Sequence, residues 1–358
     1  MTRRALWFGL LAILMIGLAA SAPAAPTQAG RWSAPGHRSA RLSIFPRQRS
    51  RVSPAILEYL QIPRVVPGPD PLDVSASAAI LMDGETGEVL FERNPDERRP
   101  PASITKILTA LVILERGHLA DTVVVSPAAA RVGGYRLGLR PGQRVVLEDL
   151  LAAILIRSAN DAATAAGEHV GQGLPGFITL MNAKAEALGM HHSQFVNPHG
   201  LDEPDHFTTA RDLALLTRAA LDHPEFARLV RMREATVRIW HPGRRNLISR
   251  TRVVVTHNKL LGRLEGADGV KTGYTDAAGR CLVASASRGG QRMIAVLLND
   301  PQRWTDATTL LEFGFGQVGG AREAAPSQRV GGPGLAGSPP GGLWRAVERA
   351  VELAGGLG

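Results

Sequence analysis

Three short stretches carry residue types that could transfer an acyl group between them: Ser103-Ile104-Thr105-Lys106, Ser158-Ala159-Asn160 and Lys271-Thr272-Gly273. Lysine is scarce here. Of 41 Lys and Arg residues only Lys106, Lys184, Lys259 and Lys271 are lysines. A guanidinium stays charged at any biological pH, whereas an ammonium can lose its proton when buried or placed beside another cation. A position that must accept a proton therefore needs lysine. Ser-x-x-Lys on a helix puts the amine one turn from the hydroxyl, on the same face. A desolvated amine with a second cation nearby has a lowered pKa and can act as general base for a serine nucleophile.

Apolar residues at helical spacing, Ile104, Ile107, Leu108, Leu111, Val112 and Leu114, predict a buried helix over Ile104 to Glu115, with Pro100 and Pro101 just ahead of it. Ser103 then sits at a helix start, where free N–H groups and the dipole favour developing negative charge. Ser158-Ala159-Asn160 falls in a break between two helical runs, so its side chains can enter a cleft. There Ser158 suits proton relay between Lys106 and a leaving amine. Asn160 suits holding a peptide carbonyl and steadying Lys106. "DGVKTGY" reads as a strand in which Lys271 and Thr272 could bind a carboxylate and Gly273 leaves room for a chain pairing alongside. The backbone N–H groups of Ser103 and Tyr274 would form an oxyanion hole. By chance all three motifs would occur together on the order of once in a thousand such sequences.

The surrounding pattern is α+β. "SAAILMD", "GETG" and "EVLFER" predict a hairpin that begins the fold near Val74. Helices are expected at "LEDLLAAILI", "NDAATAAGEHV", "LPGFITLMNAKAEALGM" and "TARDLALLTRAAL". Strands are expected at "EATVRIW", "GVKTGY", "CLVASASR" and "RMIAVLLN", and a last helix at "WTDATTLLEFGF". Together these imply one antiparallel sheet built from both chain ends, flanked by helices, with a mostly helical insert.

Residues 1–25 combine "MTRR" with an apolar run and small residues, the pattern of an export signal with cleavage between Ala22 and Ala25. An uncleaved membrane anchor is the alternative; either places the remainder outside the cytoplasm. Residues 26–71 read as a basic Pro/Ser-rich disordered tether, 72–316 as the catalytic domain and 317–342 as a Gly/Pro-rich linker. Residues 343–358 are expected to form a short amphipathic helix that could touch a membrane surface. The net charge of +9 favours anionic partners such as lipid head groups and wall polymers. No nucleic-acid motif accompanies that charge. Cys281 is alone, lies in the apolar run "CLVASA" and reads as a core residue, so no disulfide is expected. His191, His192, His199 and His206, with Asp202, Glu203 and Asp205, match no zinc spacing, so neither metal nor cofactor is expected. Trp240 and Trp304 read as core or edge residues.

The three motifs in this order mark penicillin-binding proteins and serine β-lactamases. With "PASITKILTALVILE", "SANDAA", "NPHGLD", "TARDLALL", "HNKLL" and "GADGVKTGYTDAAGRCLVASASR", the sequence closely resembles the low-mass D-alanyl-D-alanine carboxypeptidases over Leu72 to Gly316. The resemblance implies a β-lactamase/transpeptidase-like fold and removal of the terminal D-alanine from peptidoglycan stem peptides, with β-lactams as covalent inhibitors. It further implies Ser103 as acylated nucleophile, Lys106 as base, Ser158 and Asn160 as relay and positioning groups, Lys271 as carboxylate and β-lactam binder, and Tyr274 as backbone oxyanion donor. A DD-endopeptidase cutting cross-links, or a non-catalytic penicillin- and wall-binding protein, is the alternative. A class A β-lactamase is disfavoured because no Glu-x-x-x-Asn loop lies between Asn160 and Lys271. The 42 residues after Gly316 are too few for the C-terminal β-rich domain that many members carry.

Overall fold

The computed structural model describes residues 72–243 and 246–324. The export signal, the tether, most of the linker and the terminal helix lie outside the described residues. The described residues all belong to one compact unit.

The strands are β1 (Ala78–Asp83), β2 (Val89–Arg93), β3 (Thr122–Val124), β4 (Arg144–Val146), β5 (Glu234–Pro242), β6 (Leu247–Val255), β7 (Ala267–Thr275), β8 (Gly279–Arg288) and β9 (Gln291–Leu298). The helices are α1 (Lys106–Arg116), α2 (Pro127–Arg131), α3 (Leu147–Ala152), α4 (Asn160–Val170), α5 (Leu174–Ala187), α6 (Ala210–Leu221), α7 (Pro224–Val230) and α8 (Arg303–Ala324). Five strands form an antiparallel sheet in the order β2-β1-β9-β8-β7, so the two chain ends do share one sheet. Every residue of β1 is buried, because both faces of the sheet are covered. Alternation divides them: Ile80 and Met82 join the larger core with Ile104 and Ile107, while Ala79 and Leu81 face Leu310 and Leu311 of α8.

Three expectations are corrected. "EATVRIW" belongs not to this sheet but, as β5, to a second one ordered β3-β4-β5-β6. Period-two patterning identifies a strand without naming its partner, and β6 has almost no buried face to produce a pattern. "LEDLLAAILI" is not one regular helix: α3 ends at Ala152, and a wider π turn, Ala153–Arg157, follows. The stretch from Leu150 to Ile156 is apolar throughout, so its spacing does not register the shift in phase. Finally, α8 runs through Ala324, past Gly316, where the shift in composition had placed the start of the linker. Among the described residues no helix is long and apolar enough to cross a membrane.

Candidate active site

Ser103 lies in a tight 3-10 turn, Ala102–Thr105, that leads directly into α1. The α-helix thus begins two residues later than expected, with Lys106 as the first residue of α1 proper. Ala102 holds a positive φ of 49°, unusual for a residue with a side chain, which packing must compensate. Two glycines make that packing fit. A Cβ on Gly200, whose φ is +85°, would fall 1.8 Å from the Ala102 carbonyl oxygen. One on Gly273 would press on Ala102 and the Pro101 carbonyl, each at 3.1 Å. Gly273 therefore brings β7 against the serine-bearing turn, a role its sequence position alone did not suggest.

Lys106 is fully buried. Its Nζ lies 2.7 Å from Asn160 Oδ1, 2.6 Å from the His199 carbonyl oxygen and 3.0 Å from Ser103 Oγ. Asn160 is oriented by Nδ2 donating to the Gly133 carbonyl and by its backbone N–H donating to the Tyr135 carbonyl. The first two neighbours of Nζ can only accept. A neutral amine has two hydrogens for them and one lone pair, which leaves Ser103 as the group that donates. The environment favours that state: burial, then the charge of Lys271, hold the Lys106 pKa well below the ordinary lysine value, against a smaller opposing pull from Asp161.

Ser158 terminates the π turn in the left-handed region at φ 64°. It accepts a hydrogen bond from Lys271 Nζ at 2.9 Å, and Lys271 also donates to the Thr272 carbonyl at 3.0 Å. Relay through Ser158 had been expected to start from Lys106; its hydrogen-bond partner is instead the second lysine. Burial, then the nearby Arg303, lower the Lys271 pKa to about 7.

These groups open into a cavity of about 590 Å³ whose walls include Ser103, Ser158, Thr272, Tyr274 and Arg303. Tyr274 and Tyr135 are both more than half exposed there, and the Tyr274 hydroxyl donates to Asp276. Arg303, at the start of α8, was missed by sequence reasoning. Its Nη1 donates to the Gly273 and Cys281 carbonyls, and its guanidinium packs on Trp304, which lies at the edge of the smaller core and also lines the cavity. A single arginine among so many carries no sequence signal.

The histidine-rich segment is structural. His206 Nδ1 accepts from the Val196 N–H, so its Nε2 donates to Thr105 Oγ1 at 2.8 Å. Burial, then Lys106 and His206, lower His199 to about 3, whereas burial lowers His206 to about 4 against an opposing pull from Asp202. Among the described residues no three metal-ligating side chains come together. Cys281 is buried, as its apolar run implied.

Solved structures give the class. A Streptomyces DD-transpeptidase, 30% identical, is similar at a TM-score of 0.65 over 68% of this chain and 98% of its own. The D-alanyl-D-alanine carboxypeptidase DacD of Francisella tularensis, 29% identical, gives 0.62 over 70% and 73%. The fold is thus that of the penicillin-binding DD-peptidases. Residues 65–302 match the D-alanyl-D-alanine carboxypeptidase family model, and the chain belongs to that family. It is 36% identical over 250 residues to DacF of Bacillus subtilis and 38% over 258 to DacC of Escherichia coli, covering 68% of this chain in each case. The chain spans 62% of the length of these two relatives. DacB2 of Mycobacterium tuberculosis is 35% identical over 251 residues, matched over 83% of its length and 68% of this chain.

Proposed function

We propose that this chain is an exported serine D-alanyl-D-alanine carboxypeptidase that trims the terminal D-alanine from peptidoglycan stem peptides and is acylated by β-lactams. The supporting observation is the surroundings of Lys106: Nζ is buried between two accepting oxygens and Ser103 Oγ with its pKa held well down, so a neutral amine there can take the Ser103 proton. In the forward step Lys106 takes the Ser103 proton as Oγ attacks the penultimate carbonyl. The Ser103 and Tyr274 N–H groups hold the resulting oxyanion. The Lys271–Ser158 pair delivers a proton to the leaving D-alanine nitrogen, and water then hydrolyses the ester. Asn160 holds Lys106 and the peptide. Thr272, Lys271 and Arg303 receive the terminal carboxylate.

The test is direct. The purified protein should release D-alanine from a peptide ending in D-Ala-D-Ala, not from one ending in D-Ala-L-Ala, and should be labelled by fluorescent penicillin. Absence of both release and labelling ends the proposal.

Two variants separate the roles. Arg303→Leu should lower kcat/KM for the carboxylate-bearing peptide by about 10–100-fold, the range for a lost charge-assisted hydrogen bond. The amide-capped peptide should be much less affected; an equal loss for both would remove Arg303 from carboxylate binding. The Lys271 charge gives a pH prediction. Its ammonium is lost as pH rises through about 7, so kcat/KM, which reports free-enzyme ionisations, should fall on the alkaline side. Lys271→Arg, always charged, should flatten that limb whatever its absolute rate. Persistence of the limb in the variant would assign it to another group.

A further inference from the structure

Thr105 and His206 are buried polar side chains, and neither is among the residues that line the reaction cavity. Their hydrogen bonds run in one direction. The Val196 N–H can only donate, so His206 Nδ1 accepts it at 3.1 Å, and the imidazole, which burial keeps neutral at physiological pH, carries its proton on Nε2. That proton goes to Thr105 Oγ1 at 2.8 Å. The single hydroxyl proton of Thr105 then goes to the Ala102 carbonyl oxygen at 2.9 Å. The chain ends on the peptide bond that joins Ala102 to the nucleophile.

The carbonyl and the N–H of a trans peptide lie in one plane and point opposite ways. Whatever fixes the Ala102 carbonyl therefore aims the Ser103 N–H. That N–H opens the 3-10 turn with no partner inside it, and it is one of the two oxyanion donors. The aim needs enforcing, because Ala102 holds a φ of 49°, which a residue with a side chain adopts only under constraint. His206 is well placed to supply that constraint. Phe207 and Gln194 exchange backbone hydrogen bonds at 3.0 and 2.8 Å, Thr208 and Arg99 exchange them at 3.0 and 2.8 Å, and the Phe195 ring meets the imidazole edge to face. Arg99 lies three residues ahead of Ala102. The segment that carries the imidazole is thus tied to the chain on both sides of the strained residue.

We infer that His206 is a positioning residue for the oxyanion hole: through Thr105 it holds the Ala102 carbonyl so that the Ser103 N–H points at the developing oxyanion. This rests on the carboxypeptidase reading, in which Ser103 attacks a peptide carbonyl. No proton travels along the chain during the reaction. Its contribution is orientation, reinforced by the polarisation that successive hydrogen bonds impose on one another. An interaction that matters only as the charge develops lowers kcat when it is lost and leaves KM nearly unchanged.

The experiment compares the full-length protein with His206→Leu, His206→Gln, Thr105→Val and the Thr105→Val/His206→Leu double variant. Penicillin acylation and D-alanine release from a D-Ala-D-Ala peptide are measured, each rate divided by the amount of protein that takes label at completion, so that unfolded molecules drop out. His206→Leu should lower kcat and the acylation rate at least about tenfold, part of the roughly 10²–10³ that one oxyanion donor supplies, with KM within about threefold. His206→Gln, an amide that offers both a donor and an acceptor, should recover most of that loss. Thr105→Val removes the link at nearly the same volume and should reproduce it. The double variant should be no slower than either single one, because both act through one link. Should His206→Leu fail to fold, Thr105→Val carries the comparison. Parental rates in His206→Leu or Thr105→Val, losses that multiply in the double variant, or a glutamine variant as slow as the leucine one overturn the positioning role and leave the carboxypeptidase reading standing. A parent that neither releases D-alanine nor takes label removes that reading and the positioning role together.

Discussion

Replacing Lys106 by arginine is expected to yield a folded protein that fluorescent penicillin no longer labels. The expected loss in acylation rate is at least about a thousandfold, toward the upper end for a displaced general base. Charge alone is preserved by the substitution, so it isolates the one property arginine lacks, the ability to be neutral. In the parent, the Asn160 and His199 oxygens accept from Nζ, and once the amine is neutral its lone pair is left for Ser103 Oγ, 3.0 Å away. A guanidinium has no lone pair to offer and cannot leave the serine as donor. Ser103→Ala provides the unlabelled control. Lys106→Met, a chain of similar length, keeps an apolar filling of the pocket should the bulkier arginine disturb folding. Melting curves for all three establish that the fold survives. Labelling of either Lys106 variant at the parental rate would show that the proton goes elsewhere.

The second large effect is expected at Asp161, whose neighbour Asn160 belongs to a recognised motif while Asp161 itself was not singled out. It is fully buried, and its carboxylate accepts from the N–H groups of Leu137, Gly138, Leu139 and Ala162 at 2.8–2.9 Å. The loop so held supplies the Gly133 and Tyr135 carbonyls that orient Asn160. Asp161→Asn removes the charge and turns an amide nitrogen toward backbone donors. Hydrogen bonds to a charged group contribute about 1.5–3 kcal/mol each, and an unsatisfied buried donor costs about 1–3 kcal/mol. A net destabilisation of about 3 kcal/mol is expected, a fall in melting temperature of roughly 6–12 °C for a domain of this size. A catalytic signature accompanies it. Asp161 raises the Lys106 pKa through its charge, so its removal lowers that pKa further and keeps the base neutral to lower pH. The acid limb of kcat/KM should therefore move to more acidic pH. Calorimetry and a pH–rate profile check both parts. Unchanged stability with an unmoved limb would mean that neither the loop nor the base depends on this carboxylate.

The central sheet shows how patterning succeeds and where it stops. β1, β8 and β9 are buried on both faces, and their unbroken apolar runs with turns between them were sufficient to mark strands at both chain ends. β6 is solvent-exposed along nearly all its length, so no apolar period marks it, and β5 could not be assigned to the right sheet without its partner. The site behaves the same way. Serine, lysine and asparagine at short spacing announce themselves because helix geometry fixes what residues three apart can reach. Arg303, Tyr135 and the His199 carbonyl do not, being brought to Ser103 and Lys106 from distant elements and carrying no distinctive local context.

Three motifs thus sufficed to name the family and, with lysine scarcity, to single out Ser103 and Lys106 as candidate nucleophile and base, since these depend on residue chemistry and on contacts within a helical turn. The tertiary structure decided the rest. Burying Lys106 near a second amine is what lowers its pKa, and two acceptor oxygens fix where its amine sits. Ser158 pairs with Lys271 and not Lys106 because a π turn and a left-handed residue aim its hydroxyl at β7. A pKa and a proton path are properties of distances across the core, and no local stretch of chain contains them.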